Sequence, residues 1–135
     1  MLHLEALAPE EMRLSYKLLI AEDEPVIVES LKFLFEREGY TVGVATDGRQ
    51  ALELLQSLSP DILVLDAMMR HINGFDVLKT LRADTSGPQP KVLMLTAKGQ
   101  EKDRQLALEL GADAYIAKPY ANKDVLETVR KLLEA

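Results

Sequence analysis

Cysteine is absent from this chain of 135 residues, and so are long apolar runs. Without cysteine the chain has no disulfides, no thiolate zinc site and no thiol catalysis, which suits a reducing compartment. No apolar run approaches the roughly 20 residues that a membrane-spanning helix needs, and the N-terminus lacks the pattern of a signal peptide. Basic residues are in the minority, because the formal net charge is −6, and this argues against nucleic acid as a direct partner. These absences predict a cytoplasmic protein that neither enters a membrane nor binds nucleic acid directly.

The residues that are present predict one α/β domain. Apolar residues make up 47% and charged residues 28%, which is an ordinary globular balance. Residues 1–16 are interpreted as an N-terminal extension, either loose or a short helix, and residues 17–135 as the domain. The predicted strands cover residues 18–21, 41–45, 62–65, 92–95 and 114–117. Each is followed by an amphipathic helical pattern, and five such units predict a parallel sheet with helices on both faces.

Local signals predict several of the helix ends. Pro25 suits a first helical position, and Gly39 is expected to end that helix. Asp47 with Gln50 three residues later resembles a capping box at the start of the second helix. Asn73-Gly74 predicts a turn before the third helix.

Polar side chains follow four of the five predicted strands. These residues are Glu22 and Asp23 after the first strand, Asp66 after the third, Thr96 after the fourth and Lys118 after the fifth. The carboxyl ends of parallel strands lie along one edge of a sheet, where α/β proteins bind ligands. Any one of these residues alone would be an ordinary strand end in solvent. All five at the same edge indicate a site.

Three carboxylates at one edge call for a cation. Two like charges about 4 Å apart repel by about 4 kcal/mol at an effective dielectric of about 20. An all-oxygen ligand set without histidine or cysteine favours a hard ion such as Mg²⁺. Thr96 can donate a hydroxyl hydrogen bond, and Lys118 supplies a positive charge. A carboxylate, a metal, a hydroxyl and an ammonium are the parts that phosphoryl transfer needs.

The ordered motifs resemble those of a bacterial two-component response-regulator receiver domain, of the single-domain, chemotaxis-regulator-like kind. The motifs are Ile20-Ala21-Glu22-Asp23-Glu24, Asp61-Ile62-Leu63-Val64-Leu65-Asp66-Ala67-Met68-Met69, Asn73-Gly74-Phe75, Leu95-Thr96-Ala97, Gly111-Ala112-Asp113-Ala114-Tyr115 and Lys118-Pro119. The resemblance covers residues 17–135. It implies a doubly wound, flavodoxin-like (βα)5 fold with strand order 2-1-3-4-5.

The resemblance also implies a mechanism. Asp66 would be the phosphoacceptor, taking a phosphoryl group from the phosphohistidine of a sensor histidine kinase or a phosphotransfer protein. The implied ligands of Mg²⁺, for which Mn²⁺ is an alternative, are Glu22, Asp23, Asp66 and the backbone carbonyl of Met68. Thr96 would hydrogen-bond the phosphoryl group, Lys118 would pair with its oxygens, and the Lys118-Pro119 bond would be cis. The chain would catalyse its own phosphorylation and dephosphorylation without acting on a separate substrate.

Tyr115 matches the aromatic switch residue of this family. The resemblance implies that it turns inward as Thr96 moves toward the phosphoryl group, which changes the surface formed by the fourth helix, the fifth strand and the fifth helix. A downstream protein would bind this surface. A homodimer is an alternative that the resemblance leaves open.

The chain departs from the family pattern at several positions. Glu22 stands where aspartate is commoner, and Arg70 stands where proline usually follows the methionine pair. Arg70 places a second cation near Asp66, where it could attract anionic phosphodonors or alter hydrolysis. Thr128 and Ala114 replace an arginine and an acid of the winged-helix transcription-factor subfamily, which puts that subfamily's charged dimer interface in doubt. We expect no DNA-binding or enzymatic output region after the last predicted helix.

Three other classes of protein share parts of this pattern. A haloacid-dehalogenase-type phosphatase needs a second aspartate two residues after its nucleophile, where this chain has Met68. A flavodoxin-like cofactor binder needs a hydroxyl- and glycine-rich loop after the first strand, where Glu22-Asp23-Glu24 would repel phosphate. A receiver-like scaffold that binds partners without phosphorylation stays an alternative.

Overall fold

The computed structural model describes residues 16–97 and 101–135. Within these residues five strands alternate with five helices. The strands are β1 (Lys17–Ala21), β2 (Thr41–Ala45), β3 (Ile62–Asp66), β4 (Lys91–Thr96) and β5 (Ala114–Ala117). The helices are α1 (Pro25–Arg37), α2 (Gly48–Leu58), α3 (Gly74–Ala83), α4 (Glu101–Glu109) and α5 (Asn122–Glu134). All strand pairs are parallel, in the order β2-β1-β3-β4-β5, so the predicted fold is confirmed.

Each face of the sheet has its own apolar core. On one face Leu63 and Leu65 of β3 pack with α2, α3 and α4. On the other face Ile62 and Val64 pack with α1 and α5. All of β3 is buried, and its first four residues form an unbroken apolar run, as expected for a central parallel strand. The less apolar β2 lies at the sheet edge.

Side-chain caps fix the first turns of two helices. The Asp47 carboxylate accepts a hydrogen bond of 2.8 Å from the backbone N–H of Gln50, which confirms the predicted cap of α2. The predicted turn at Asn73-Gly74 is itself the start of α3, since Asn73 is the N-cap and Gly74 the first helical residue. The Asn73 side chain accepts from the backbone N–H of Asp76 at 3.0 Å. It thereby satisfies a donor that has no partner within the helix.

The predicted N-terminal extension falls on residues 1–15, outside the described part of the chain, apart from Tyr16. The Tyr16 hydroxyl donates to the carbonyl of Leu133 at 3.4 Å, and its ring packs against the core under α1 and α5. The division between extension and domain stays a prediction. Among the described helices, none has both the length and the apolar character to cross a bilayer.

Candidate functional site

Backbone hydrogen bonds align the strand ends that carry the predicted site. The N–H of Glu22 donates to the carbonyl of Ala45 at 3.0 Å, and the N–H of Lys118 donates to the carbonyl of Thr96 at 2.7 Å. Asp66 is the last residue of β3, beside β4 in register. Parallel pairing therefore brings all the predicted strand-end residues to one edge, as the sequence indicated.

Three carboxylates meet at this edge. One carboxylate oxygen each from Glu22, Asp23 and Asp66 lies within 4.8 Å of the others. Glu22 and Asp66 are only 1% and 2% exposed. The Lys118 ammonium lies 3.0 Å from Asp66 Oδ1 and 3.5 Å from Glu22 Oε1. The Lys118 ammonium therefore forms ion pairs with both buried acids.

Burial and charge shift the pKa values of this cluster. Burial first, and then the neighbouring Asp66 carboxylate, raise the pKa of Glu22 from 4.5 to about 7. Burial alone would lower the pKa of Lys118, but the hydrogen bond to Asp66 and the charges of Asp66 and Glu22 outweigh it and raise that pKa. These directions are expected where buried like charges share one counter-ion. The site consequently favours further positive charge.

The donor set fits a hard divalent cation. Glu22 Oε1 is buried and accepts no hydrogen bond from the described residues, and the Lys118 ammonium that pairs with it lies 3.5 Å away. This oxygen can therefore accept a further ligand. Three carboxylates without histidine or cysteine match the oxygen ligands that Mg²⁺ takes. The residues at this edge therefore suit the ion that the sequence indicated.

The chain leaving β3 folds back onto Asp66. The Met68 N–H donates to Asp66 Oδ1 at 3.3 Å, while the N–H of Gly74 donates to the carbonyl of Ala67 at 2.9 Å. A Cβ atom at Gly74 would overlap the backbone carbonyl of Asp66. The start of α3 thus lies directly against the acceptor residue. Sequence reasoning read Gly74 only as a turn residue and missed this contact.

The remaining predicted residues lie around the cluster at different distances. Thr96 is buried at the end of β4, but within the described residues no hydrogen bond joins it to Asp66. Tyr115 is half-buried in β5, outside the acid cluster, and the Arg104 guanidinium lies 5.3 Å from its ring centroid. The Lys118-Pro119 bond is cis, as expected. Arg70, which the sequence placed near Asp66, pairs with the neighbouring acid Asp23, at 3.7 Å between Nε and Oδ2.

An apolar groove of about 550 Å³ opens beside Lys118. Its walls are the first turn of α1 and the segment after β5, and its apolar side chains include Val26, Pro119 and Tyr120. Val26 is 75% exposed. Burial first, and then the charge of Glu22, raise the pKa of Tyr120, so this ring lies within the field of the acid cluster. Sequence reasoning missed the groove, because the exposure of Val26 is a property of the folded structure.

A doubly wound parallel sheet with three acids and a lysine at its carboxyl edge defines an α/β domain suited to cation and phosphate chemistry. The chain belongs to the response regulator receiver domain family, whose family model matches residues 18–130. It is therefore a receiver domain, the phosphoacceptor module of two-component signalling.

Comparisons with individual proteins agree with this assignment. The chain is 47% identical over 117 residues to the transcriptional regulatory protein CpxR of Escherichia coli (strain K12), an alignment covering 87% of this chain and 49% of that protein. The alkaline phosphatase synthesis transcriptional regulatory protein PhoP of Bacillus subtilis (strain 168) is 42% identical over 117 residues, with 87% and 48% covered. The chain thus spans about half the length of the curated relatives it matches.

Solved structures share the fold. The receiver domain of the Francisella response regulator 1452 has a TM-score of 0.82 at 31% identity, covering 89% of this chain and 98% of that one. The receiver domain of the sensor histidine kinase PA1611 from Pseudomonas aeruginosa PAO1 has a TM-score of 0.80 at 24% identity, covering 89% and 98%. That structure holds a magnesium ion coordinated in its active site cleft.

Proposed function

We propose that Asp66 accepts a phosphoryl group from the phosphohistidine of a histidine kinase or phosphotransfer protein, in a reaction that depends on Mg²⁺. The observation that carries the proposal is the clustering of three carboxylates within 4.8 Å around Asp66, whose Oδ1 also accepts from the Lys118 ammonium at 3.0 Å. A buried carboxylate with a fixed ammonium and two neighbouring acids is equipped to receive a phosphoryl group beside a cation.

Glu22, Asp23, Asp66 and the backbone carbonyl of Met68 would hold the ion. Mg²⁺ supplies positive charge that offsets the phosphoryl oxygens and the carboxylates, and Mn²⁺ could replace it because it prefers similar ligands. The Oε1 of Glu22, which is buried without a hydrogen bond from the described residues, supports the place of Glu22 in this ligand set. Met68 is included by family resemblance.

The side chains of the protein would perform the transfer. A carboxylate oxygen of Asp66 forms a bond to phosphorus as the bond between phosphorus and the donor imidazole nitrogen breaks. Lys118, already 3.0 Å from Asp66 Oδ1, pairs with the transferred oxygens. The Met68 N–H, 3.3 Å from the same oxygen, keeps the carboxylate oriented. Thr96 donates its hydroxyl to the phosphoryl group and moves toward it.

The apolar groove beside Lys118 would receive the phosphodonor protein. Lys118 lines the groove while its ammonium contacts Asp66. A protein bound in the groove would therefore be separated from the acceptor only by the Lys118 side chain. The exposed Val26 offers apolar area for such a contact. Val26→Asp is expected to slow transfer from a phosphorylated histidine kinase, while phosphorylation by acetyl phosphate keeps its rate.

Phosphorylation would be read out at the surface formed by α4, β5 and α5. In this proposal Tyr115 turns inward as Thr96 moves, and a downstream protein binds the altered surface. The stacking of Arg104 on Tyr115 links α4 to this ring. A titration with beryllium fluoride tests the switch, because the NMR resonances of Tyr115 must shift as the phosphoryl mimic binds. Unchanged Tyr115 resonances would contradict the proposed role of Tyr115 as the switch residue.

Intact mass measurement after incubation with Mg²⁺ and acetyl phosphate tests the acceptor. We expect one phosphoryl adduct on the wild-type chain and none on Asp66→Asn. Asp61→Asn is the matched control, because Asp61 lies just before the same strand and its side chain accepts from the Lys17 N–H at 2.7 Å, a bond that asparagine can keep. No adduct on the wild type, or an adduct on Asp66→Asn, would contradict the proposal. The first result would favour a scaffold that works without phosphorylation.

A further inference from the structure

The loop between β3 and α3 holds Arg70 in a defined place. The N–H of Gly48, the first residue of α2, donates to the carbonyl of Arg70 at 3.4 Å. A Cβ atom at Gly48 would overlap the carbonyl of Ile72, so the loop backbone packs directly onto the start of α2. His71 adopts a left-handed conformation with φ of 67°. These contacts fix the backbone from which the Arg70 side chain extends to Asp23.

Arg70 is the cationic partner of the most exposed acid at the site. Its Nε lies 3.7 Å from Asp23 Oδ2, and the side chains of Arg70 and Asp23 are 74% and 23% exposed. Asp66 and Glu22 instead share Lys118, whose side chain is 30% exposed. Among the residues that the structure describes, the three acids therefore pair with two cations, of which only Arg70 extends mainly into solvent. An exposed arginine on a long side chain can leave its partner at small cost.

We propose that Arg70 is a replaceable counter-ion of Asp23 that lowers the affinity of the site for Mg²⁺. This inference rests on the proposed function, because it takes the acid cluster as the metal site. A divalent cation that binds Asp23 and the guanidinium that pairs with Asp23 compete for the same oxygens and repel each other. In this proposal, metal binding at Asp23 displaces Arg70 from Oδ2.

Calorimetric titration with Mg²⁺ alone tests the proposal, using Arg70→Gln, Arg70→Lys and Arg49→Gln. Arg49 is the matched control, because it is an exposed arginine in the first turn of α2 and forms no ion pair within the part of the chain that the structure describes. The expected effect of Arg70→Gln is a Kd about two- to fivefold lower than that of the wild type, the range for an exposed ion pair. Arg70→Lys is expected to stay near the wild type.

The dependence of the Mg²⁺ Kd on salt concentration gives a second test of the electrostatic effect of Arg70. In about 1 M salt the screening length falls to about 3 Å, so the difference between Arg70→Gln and the wild type is expected to vanish. An unchanged Kd in Arg70→Gln, or an equal decrease in Arg49→Gln, would overturn the proposal. Those results would leave the proposed function intact. A wild-type chain that binds no Mg²⁺ and forms no phosphoryl adduct would overturn both.

Discussion

Glu22→Gln is expected to stabilise the metal-free protein at pH 8 and to have a much smaller effect at pH 5. The pKa of Glu22 rises from 4.5 to about 7 on folding, which corresponds to about 3 kcal/mol at about 1.4 kcal/mol for each unit. Because the folded state holds this proton more tightly, the contribution of Glu22 to stability is fully present below pH 4.5. It is lost as the pH rises through about 7. Glutamine carries no such charge and removes the loss.

Urea unfolding in the presence of EDTA measures this difference. At pH 8 we expect Glu22→Gln to exceed the wild type by about 2–3 kcal/mol, a shift of the midpoint of about 1 M or more. The amide oxygen of the introduced glutamine can still accept from the N–H of Glu24, a bond of 3.2 Å in the wild type. Glu24→Gln removes the same charge from an exposed neighbour and serves as the control.

The size of the effect must change with pH if the reasoning is correct. An equal gain from Glu22→Gln at pH 5 and pH 8 would refute it, since the gain would then come from packing. Added Mg²⁺ is expected to stabilise the wild type at pH 8 by mass action. It should stabilise Glu22→Gln less, because one ligand carboxylate is gone.

Three further predictions concern the acceptor, the helix that packs against it and the stability of the fold. Lys118→Ala is expected to slow phosphorylation by acetyl phosphate about a hundredfold, measured by intact mass against time. Gly74→Ala is expected to lower the free energy of unfolding by about 1–3 kcal/mol and to slow phosphorylation, because the added Cβ would push on the carbonyl of Asp66. An unchanged phosphorylation rate would show that this contact with α3 does not position the acceptor. Arg82→Ala is expected to cost about 2–3 kcal/mol in urea unfolding, because its guanidinium donates to the carbonyls of Gly111 and Pro90 at 3.0 and 2.9 Å and both would lose a charged donor; a loss below about 1 kcal/mol would contradict this reasoning.

The sheet and the centre of the site were predictable because both depend on local patterns. An unbroken apolar run such as residues 62–65 can be a buried parallel strand, and the polar residue after it then lies at the carboxyl edge. Strand order followed from the family resemblance. The convergence of Glu22, Asp66 and Lys118 needed only the rule that parallel strands end at the same side of a sheet.

Contacts between distant segments were not predictable in the same way. Arg82 bonds the carbonyl of Gly111, which is 29 residues away, and no periodicity reports such a pairing. The approach of Gly74 to the Asp66 carbonyl depends on how α3 packs onto the sheet. Arg70 was expected only to lie near Asp66, and its ion pair with Asp23 was not predicted, because the direction of a long side chain depends on how the loop at Gly48 is anchored.

Successive side chains of β3 enter different cores, so the position of the acceptor depends on the packing of both. Leu65 belongs to the layer under α2, α3 and α4, while Val64 belongs to the layer under α1 and α5. Asp66 therefore lies at the end of a strand that contributes side chains to two separate hydrophobic cores. A large-to-small substitution in either core would therefore remove packing from the strand that positions the acceptor.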